Sequence, residues 1–176
     1  PAARSCSSMA GDPRPTTASS GDFETGLEGN DKLQLRLWLR LLTCSNLIET
    51  EIRRRLRRDF ATTLPRFDLL SQLDRSPGGL SMTELSQRLM VSNGNLTGLV
   101  DRLGADGQVS RRADPKDRRT SHISLTARGK RHFDEMTPAH ETWVEDMLAG
   151  LGGSDMRQLH ALLAQLKQSV GGSKEA

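Results

Sequence analysis

Leu37, Trp38, Leu41, Leu42, Ser45, Ile48, Ile52 and Leu56 recur at spacings of three and four. That period predicts a long amphipathic helix over about residues 31–60. The basic run at residues 53–58 closes it with cations, where the helix dipole favours them. Leu64-Pro65 opens a second helix, about residues 65–75, with proline in its first turn. A Ser-Pro-Gly-Gly loop follows at residues 76–79. Ser81-Met-Thr-Glu84 has the form of a capping box and starts a third helix that reaches about Leu89. After a turn at Met90-Val91, Ser92 is placed to cap a fourth helix running to about Asp106. Leu96, Leu99, Val100 and Leu103 form its apolar face, and Gly107 suits its stop.

The pattern then changes. Residues 108–113 and 120–125 read as two short strands, with Val109, Ile123 and Leu125 inward. Between them Asp114-Pro-Lys-Asp117 has turn chemistry. Thr126 caps a further helix over about residues 127–150, which Pro138 should kink or interrupt. Its apolar side is Met136, His140, Trp143, Val144, Met147 and Leu151. Ser154 is expected to cap a last helix with Leu159, Leu162, Leu163, Leu166 and Val170 on one face, ended by Gly171-Gly172. The expected fold is mainly α with a small β-hairpin wing: a winged helix-turn-helix at about residues 62–126. Dimerisation helices at about 31–60 and 127–170 flank it. Residues 1–30, rich in Ser, Thr, Gly and Pro, should form a disordered tail, and residues 171–176 should fray. The apolar stripes of the flanking helices are longer than so small a core can bury. They most simply meet a second copy of the chain.

Net charge decides little. It is +3 over 176 residues, with 35% hydrophobic and 27% charged positions. Its distribution decides more. Arg111, Arg112, Lys116, Arg118, Arg119, Arg128 and Lys130 cluster against only Asp114 and Asp117. Such a field attracts phosphate and releases counterions on binding. Aromatics are 3% and tyrosine is absent, which disfavours a stacking platform for single strands. There is no apolar run of membrane-spanning length and no secretory h-region, so a cytoplasmic protein is expected. No glycine-rich phosphate loop, nucleophile elbow or catalytic carboxylate pair appears, so the chain does not read as an enzyme. Neither a cofactor nor a metal site is implied: His122, His132, His140 and His160 lack ligand spacing.

Asp117, Arg119, Leu125 and Thr126 stand at the spacing of the Asp-x-Arg-x(5)-Leu-Thr signature of the MarR family of bacterial transcriptional regulators. Leu96-Thr97 and Leu99-Val100-Asp101-Arg102-Leu103 resemble that family's recognition helix. The resemblance covers about residues 31–170. It implies a homodimer on a pseudo-palindromic double-stranded DNA operator, with half-sites roughly 34–36 Å apart. It implies Arg119 in the minor groove, oriented by Asp117 and flanked by Arg118. Narrow minor grooves favour arginine, and a carboxylate two residues away can fix its fork. The plainer alternative is a surface Asp–Arg pair that only holds the turn. Ser92, Asn93, Asn95, Thr97 and Arg102 are the DNA-facing candidates on the recognition helix, with Ser92 also or only a cap. Many members carry a large polar residue where this chain has Gly98. That departure removes one base-reading side chain.

The resemblance further implies a repressor released by a small effector. Leu37–Arg40, residues 63–70 and residues 91–95 are similar to members that control aromatic-acid breakdown, some of which answer aryl-CoA thioesters. Trp38, Arg40 and Arg66 are then the candidates for an aromatic ring and an anionic group, the alternative being a core tryptophan and solvated arginines. Cys44 invites a redox-sensing alternative, but a buried structural thiol is expected. The basic run at 53–58 is expected to pair internally with Glu49, Glu51 and Asp59; a phosphate patch or an effector site are the alternatives. A winged-helix protein-interaction module is the remaining rival to DNA binding.

Overall fold

The computed structural model describes residues 32–113 and 121–172. The tail, the wing tip with Asp117, Arg118 and Arg119, and residues 173–176 lie outside the described residues. In chain order come α1 (Leu33–Phe60), α2 (Leu64–Asp74), β1 (Leu80–Ser81), α3 (Met82–Leu89), α4 (Asn93–Ala105), β2 (Val109–Ala113), β3 (Ser121–Leu125), α5 (Ala127–Leu148) and α6 (Gly153–Gly172). This is the expected mainly helical winged helix-turn-helix with flanking helices. Contacts divide the chain into two units, Pro1–Asn46 and Leu47–Ala176.

The caps form as their sequences require. Ser81 Oγ accepts from the Glu84 N–H at 3.2 Å while the Glu84 carboxylate accepts from the Ser81 N–H at 2.8 Å. That backbone donor, with the Ser81 hydroxyl, lowers the Glu84 pKa. Ser92 Oγ accepts from the Asn95 N–H at 3.5 Å. Thr126 Oγ1 accepts from the Gly129 N–H at 3.0 Å. Leu85, Leu96, Leu103, Ile123 and Met136 are fully buried, and with Leu56, Leu69 and Leu70 they form the centre of a core that lies within the second unit. Each such side chain contributes roughly 1.5–3 kcal/mol relative to exposure. Phe67 links two elements to this core: it packs 5.4 Å from Phe133 and stacks 4.6 Å from His140, centroid to centroid. Burial in that stack lowers the His140 pKa.

Several expectations need correction. The wing is part of a three-stranded antiparallel sheet, order β1-β3-β2, with Leu80 opposite Ile123 and Val109 opposite Leu125. The third strand, β1, is too short to show alternation. It reaches β3 because Gly79 (φ 83°) leaves no Cβ to stand 2.8 Å from the Ile123 carbonyl oxygen. Helix α5 continues through Pro138 without an irregular turn there and stops at Leu148. Helix α6 starts at Gly153, with the Met156 N–H bonded to the Gly152 carbonyl at 2.9 Å. Ser154 therefore sits inside the first turn and is not the cap. Gly171 and Gly172 lie within α6. Cys44 is exposed rather than buried in the single chain.

The apolar stripe of α1 divides in two. Ile52 and Leu56 are buried, whereas Leu37, Trp38 and Leu42 are exposed. Along α6, Leu159, Leu162, Leu163, Leu166 and Val170 are also exposed, and nothing on that helix is buried. The exposure matches the excess of apolar stripe over core seen in the sequence. The basic run pairs internally as expected: Arg53 with Glu49, Arg54 and Arg55 with Glu51 at 2.6 Å each, and Arg58 with Asp59. The two arginines hold the Glu51 carboxyl down at a pKa of about 2.

Candidate nucleic-acid interface

Helix α4 turns its apolar face to the core and leaves its first turns outside. Ser92, Asn93, Gly94, Asn95 and Thr97 are all exposed. The Ser92 hydroxyl is a cap and is also accessible, so both expected roles are open to it. Thr97 donates its hydroxyl to the Asn93 carbonyl at 2.9 Å, which leaves its lone pairs to accept from a base or another donor. Gly98 faces open space except for Arg102, whose Nη1 lies 3.8 Å from where a Cβ would stand. The exposed Arg102 thus reaches back over the position that lacks a side chain. It brings a guanidinium to that stretch of the helix, a placement that residue spacing alone does not reveal.

Strand β2 begins buried at Val109 and emerges through the exposed Arg111, Arg112 and Ala113. Arg111 Nη2 is 3.3 Å from Asp101 Oδ1 on α4, a tie between wing and recognition helix. Both groups are well exposed, and such pairs contribute at most about 1 kcal/mol. The tie therefore orients more than it stabilises. Asp117, Arg118 and Arg119 lie outside the described residues.

The effector candidates are distributed over both units. Trp38 is 58% exposed and Arg40 is exposed, both on the first unit. Arg66, on α2 in the second unit, pairs with Asp106 at the C-cap of α4. Its Nε is buried and without a hydrogen-bond partner. The Arg66–Asp106 pair couples α2 to the end of the recognition helix, a link no sequence period could show across that separation. Among the described residues, no group of three or more His, Cys, Asp and Glu could hold a metal. Nor is any helix among them long and apolar enough to cross a membrane.

Comparison with known proteins gives the same answer as the geometry. The model of the MarR family matches residues 62–121. The transcriptional activatory protein BadR of Rhodopseudomonas palustris is 31% identical over 136 residues, 75% of this chain and 77% of BadR. The solved MarR family regulator from Silicibacter pomeroyi is 33% identical, with a TM-score of 0.69 over 82% of this chain and 99% of that one. A MarR family regulator from Streptomyces coelicolor, solved in complex with DNA, superposes with a TM-score of 0.71 at 25% identity, covering 81% of this chain and 90% of that one. Two curated relatives from Bacillus subtilis are matched over little more than half of their own length, 56% and 59%. A relative covered over three quarters of its length, a solved structure covered almost entirely and the match across the helix-turn-helix agree: the chain belongs to the MarR family.

Proposed function

We propose that this chain is a sequence-specific, DNA-binding transcriptional regulator that works as a homodimer. The observation that carries the reading is the exposed polar first turns of α4 beside the exposed Arg111 and Arg112 of β2. An α-helix enters the major groove, where short polar groups and Arg102 meet base edges, while a basic wing follows the phosphates and the minor groove. The Streptomyces relative solved with DNA supports the same use of the fold. The exposed apolar faces of the first half of α1 and of α6 support a second copy as partner, since leucine-rich faces of this kind are costly in water. In such a dimer the two recognition helices read the halves of a pseudo-palindromic operator. Repression released by an aromatic acid or aryl-CoA thioester is the regulatory part of the proposal; activation, which the name of BadR states for that relative, is the alternative direction.

A duplex-binding titration across salt concentrations tests the reading. The logarithm of the binding constant should fall steeply with the logarithm of salt, because several phosphates are neutralised. Arg119→Ala should weaken specific binding by about 1–3 kcal/mol and leave the dimer and its melting temperature unchanged. Asp117→Ala should act in the same direction through lost orientation. A salt-independent curve would replace DNA binding with the protein-interaction reading. A lower melting temperature in both variants would reduce the Asp–Arg pair to a turn-holding role.

A further inference from the structure

The foot of the wing holds a cavity that the DNA-facing residues do not use. Gln108, which leads into β2, is only 9% exposed. Its backbone is pinned, because its carbonyl accepts from the Thr126 N–H at 3.1 Å. Its side-chain Oε1 is buried and has no hydrogen-bond partner. A buried acceptor in that state is available to a donor that enters the cavity. The same residue lines an open cavity of about 280 Å³ together with Arg128, Arg131, His132 and Glu135.

The lining divides by chemistry. Arg128 and Arg131 stand three residues apart on the first turns of α5, so they share a side of the helix. Neither pairs with a carboxylate among the described residues. The positive end of the α5 dipole adds to their field. Beside them, Gln108 Oε1, from the residue before β2, and the Glu135 carboxylate, on the same face of α5, can only accept. Glu135 lies 3.9 Å from His132 Nδ1 and is otherwise open to solvent. A bare anion satisfies the arginines and is repelled by Glu135. A neutral polyol satisfies the acceptors and leaves the arginines with water. Only a molecule carrying both an anionic group and hydroxyl donors fits the whole lining.

We propose that this cavity binds a small hydroxylated carboxylic acid. Its carboxylate faces Arg128 and Arg131, and its hydroxyls donate to Gln108 Oε1 and Glu135. The volume suits that class, lying just under the roughly 300–1,000 Å³ of pockets for drug-sized ligands. The site shares no residue with the effector candidates Trp38, Arg40 and Arg66, so it stands or falls apart from the proposed function.

Calorimetric titration of the full chain with gluconate tests this, with hexanoate as the charge without hydroxyls and sorbitol as the hydroxyls without charge. Gluconate should bind saturably, and each control should bind at least about tenfold more weakly. Arg131→Gln should weaken gluconate by about tenfold or more, and its melting temperature without ligand shows that it folds. Arg128→Gln is the second variant, independent of the first. Absence of saturable gluconate binding at millimolar concentrations overturns the proposal. So does equal binding of hexanoate, or gluconate binding unchanged in both variants.

Discussion

Gly129 and Gln108 are packed so closely that a Cβ on Gly129 would overlap the Gln108 carbonyl oxygen and stand 2.8 Å from its carbonyl carbon. The contact joins the first turn of α5 to the residue that leads into β2. Thr126 completes the joint. Its hydroxyl donates to the Gly107 carbonyl at 2.6 Å and accepts from the Gly129 N–H at 3.0 Å. The Thr of the family signature thus acts on the wing from behind, fixing the strand's departure from α4 against the helix that follows.

That joint gives opposite signs to one substitution at two glycines. Ala for Gly inside a helix gains about 0.8–1 kcal/mol where a Cβ has room. At Gly98 it has, with only Arg102 Nη1 at 3.8 Å. At Gly129 the obstacle is backbone, and overpacking costs about 1–3 kcal/mol. Urea unfolding should therefore show Gly98→Ala stabilised and Gly129→Ala destabilised. Equal gains at both positions would mean that α5 is not pressed onto Gln108. If the bare backbone at Gly98 approaches DNA, Gly98→Ala will also bind the operator more weakly despite its greater stability.

Two left-handed residues predict a gain from the reverse change. Ala61 (φ 49°) follows α1, and Met90 (φ 53°) ends α3 in the turn of the helix-turn-helix. A residue with a Cβ is disfavoured there by roughly 1–2 kcal/mol relative to the right-handed form, and glycine is not. Met90 is 93% exposed, so its side chain contributes no packing that would be lost. Ala61→Gly and Met90→Gly should each raise the melting temperature. A drop at Met90 would show that the turn relaxes out of the left-handed region.

The sequence made the helical frame legible because its signals are local. Ser81, Ser92 and Thr126 each form the cap their spacing announces, and Val109 and Ile123 face inward as alternation requires. Contacts that close over long separations left no such trace. Nothing near Gly129 points to Gln108, and nothing near Arg66 points to Asp106. Strand β1 escaped because two residues cannot display a period. Periodicity placed Leu37, Trp38 and Leu42 on one face of α1, yet a period states that a face is apolar and not what covers it. The same holds for Cys44, whose expected burial the single chain does not provide.

Asp68 predicts a pH dependence. Burial first, and then the nearby Glu49 carboxylate, raise its pKa from 3.8 to about 6, with Arg53 opposing them. Its folded value is therefore above its unfolded value. The stability linked to this group is fully present below about pH 4 and is lost as pH rises through about 6. Asp68→Asn removes the dependence. The melting temperature of the variant minus that of the parent should grow from pH 4 to pH 7. Comparison of the two proteins cancels His140, whose lowered pKa acts with the opposite sign in both. A difference independent of pH would mean that Asp68 ionises freely in the folded protein.

The Arg66–Asp106 pair suggests how an effector would release DNA. Asp106 caps the C-terminal end of the recognition helix, and Arg66 holds it to α2. An aromatic acid whose carboxylate competes for Arg66, or a CoA thioester offering phosphate, would free Asp106 and loosen the orientation of α4. Release follows only if the ligand prefers the loosened state to the DNA-competent one. Couplings of this kind are typically worth roughly 5–150-fold in affinity. We expect an effector of this class to weaken operator binding by an amount in that range. Arg66→Ala should blunt the response while keeping ligand-free DNA binding. Arg40→Ala tests the second cation in the same assay. Trp38, more than half exposed, is the reporter for the aromatic ring once the buried Trp143 is replaced by Phe. Quenching of Trp38 that tracks DNA release would assign the ring to it. Full release in Arg66→Ala would exclude the competition with Asp106. Release by peroxide and not by aromatic acids or thioesters, abolished by Cys44→Ser, would replace ligand control with redox sensing at the exposed thiol.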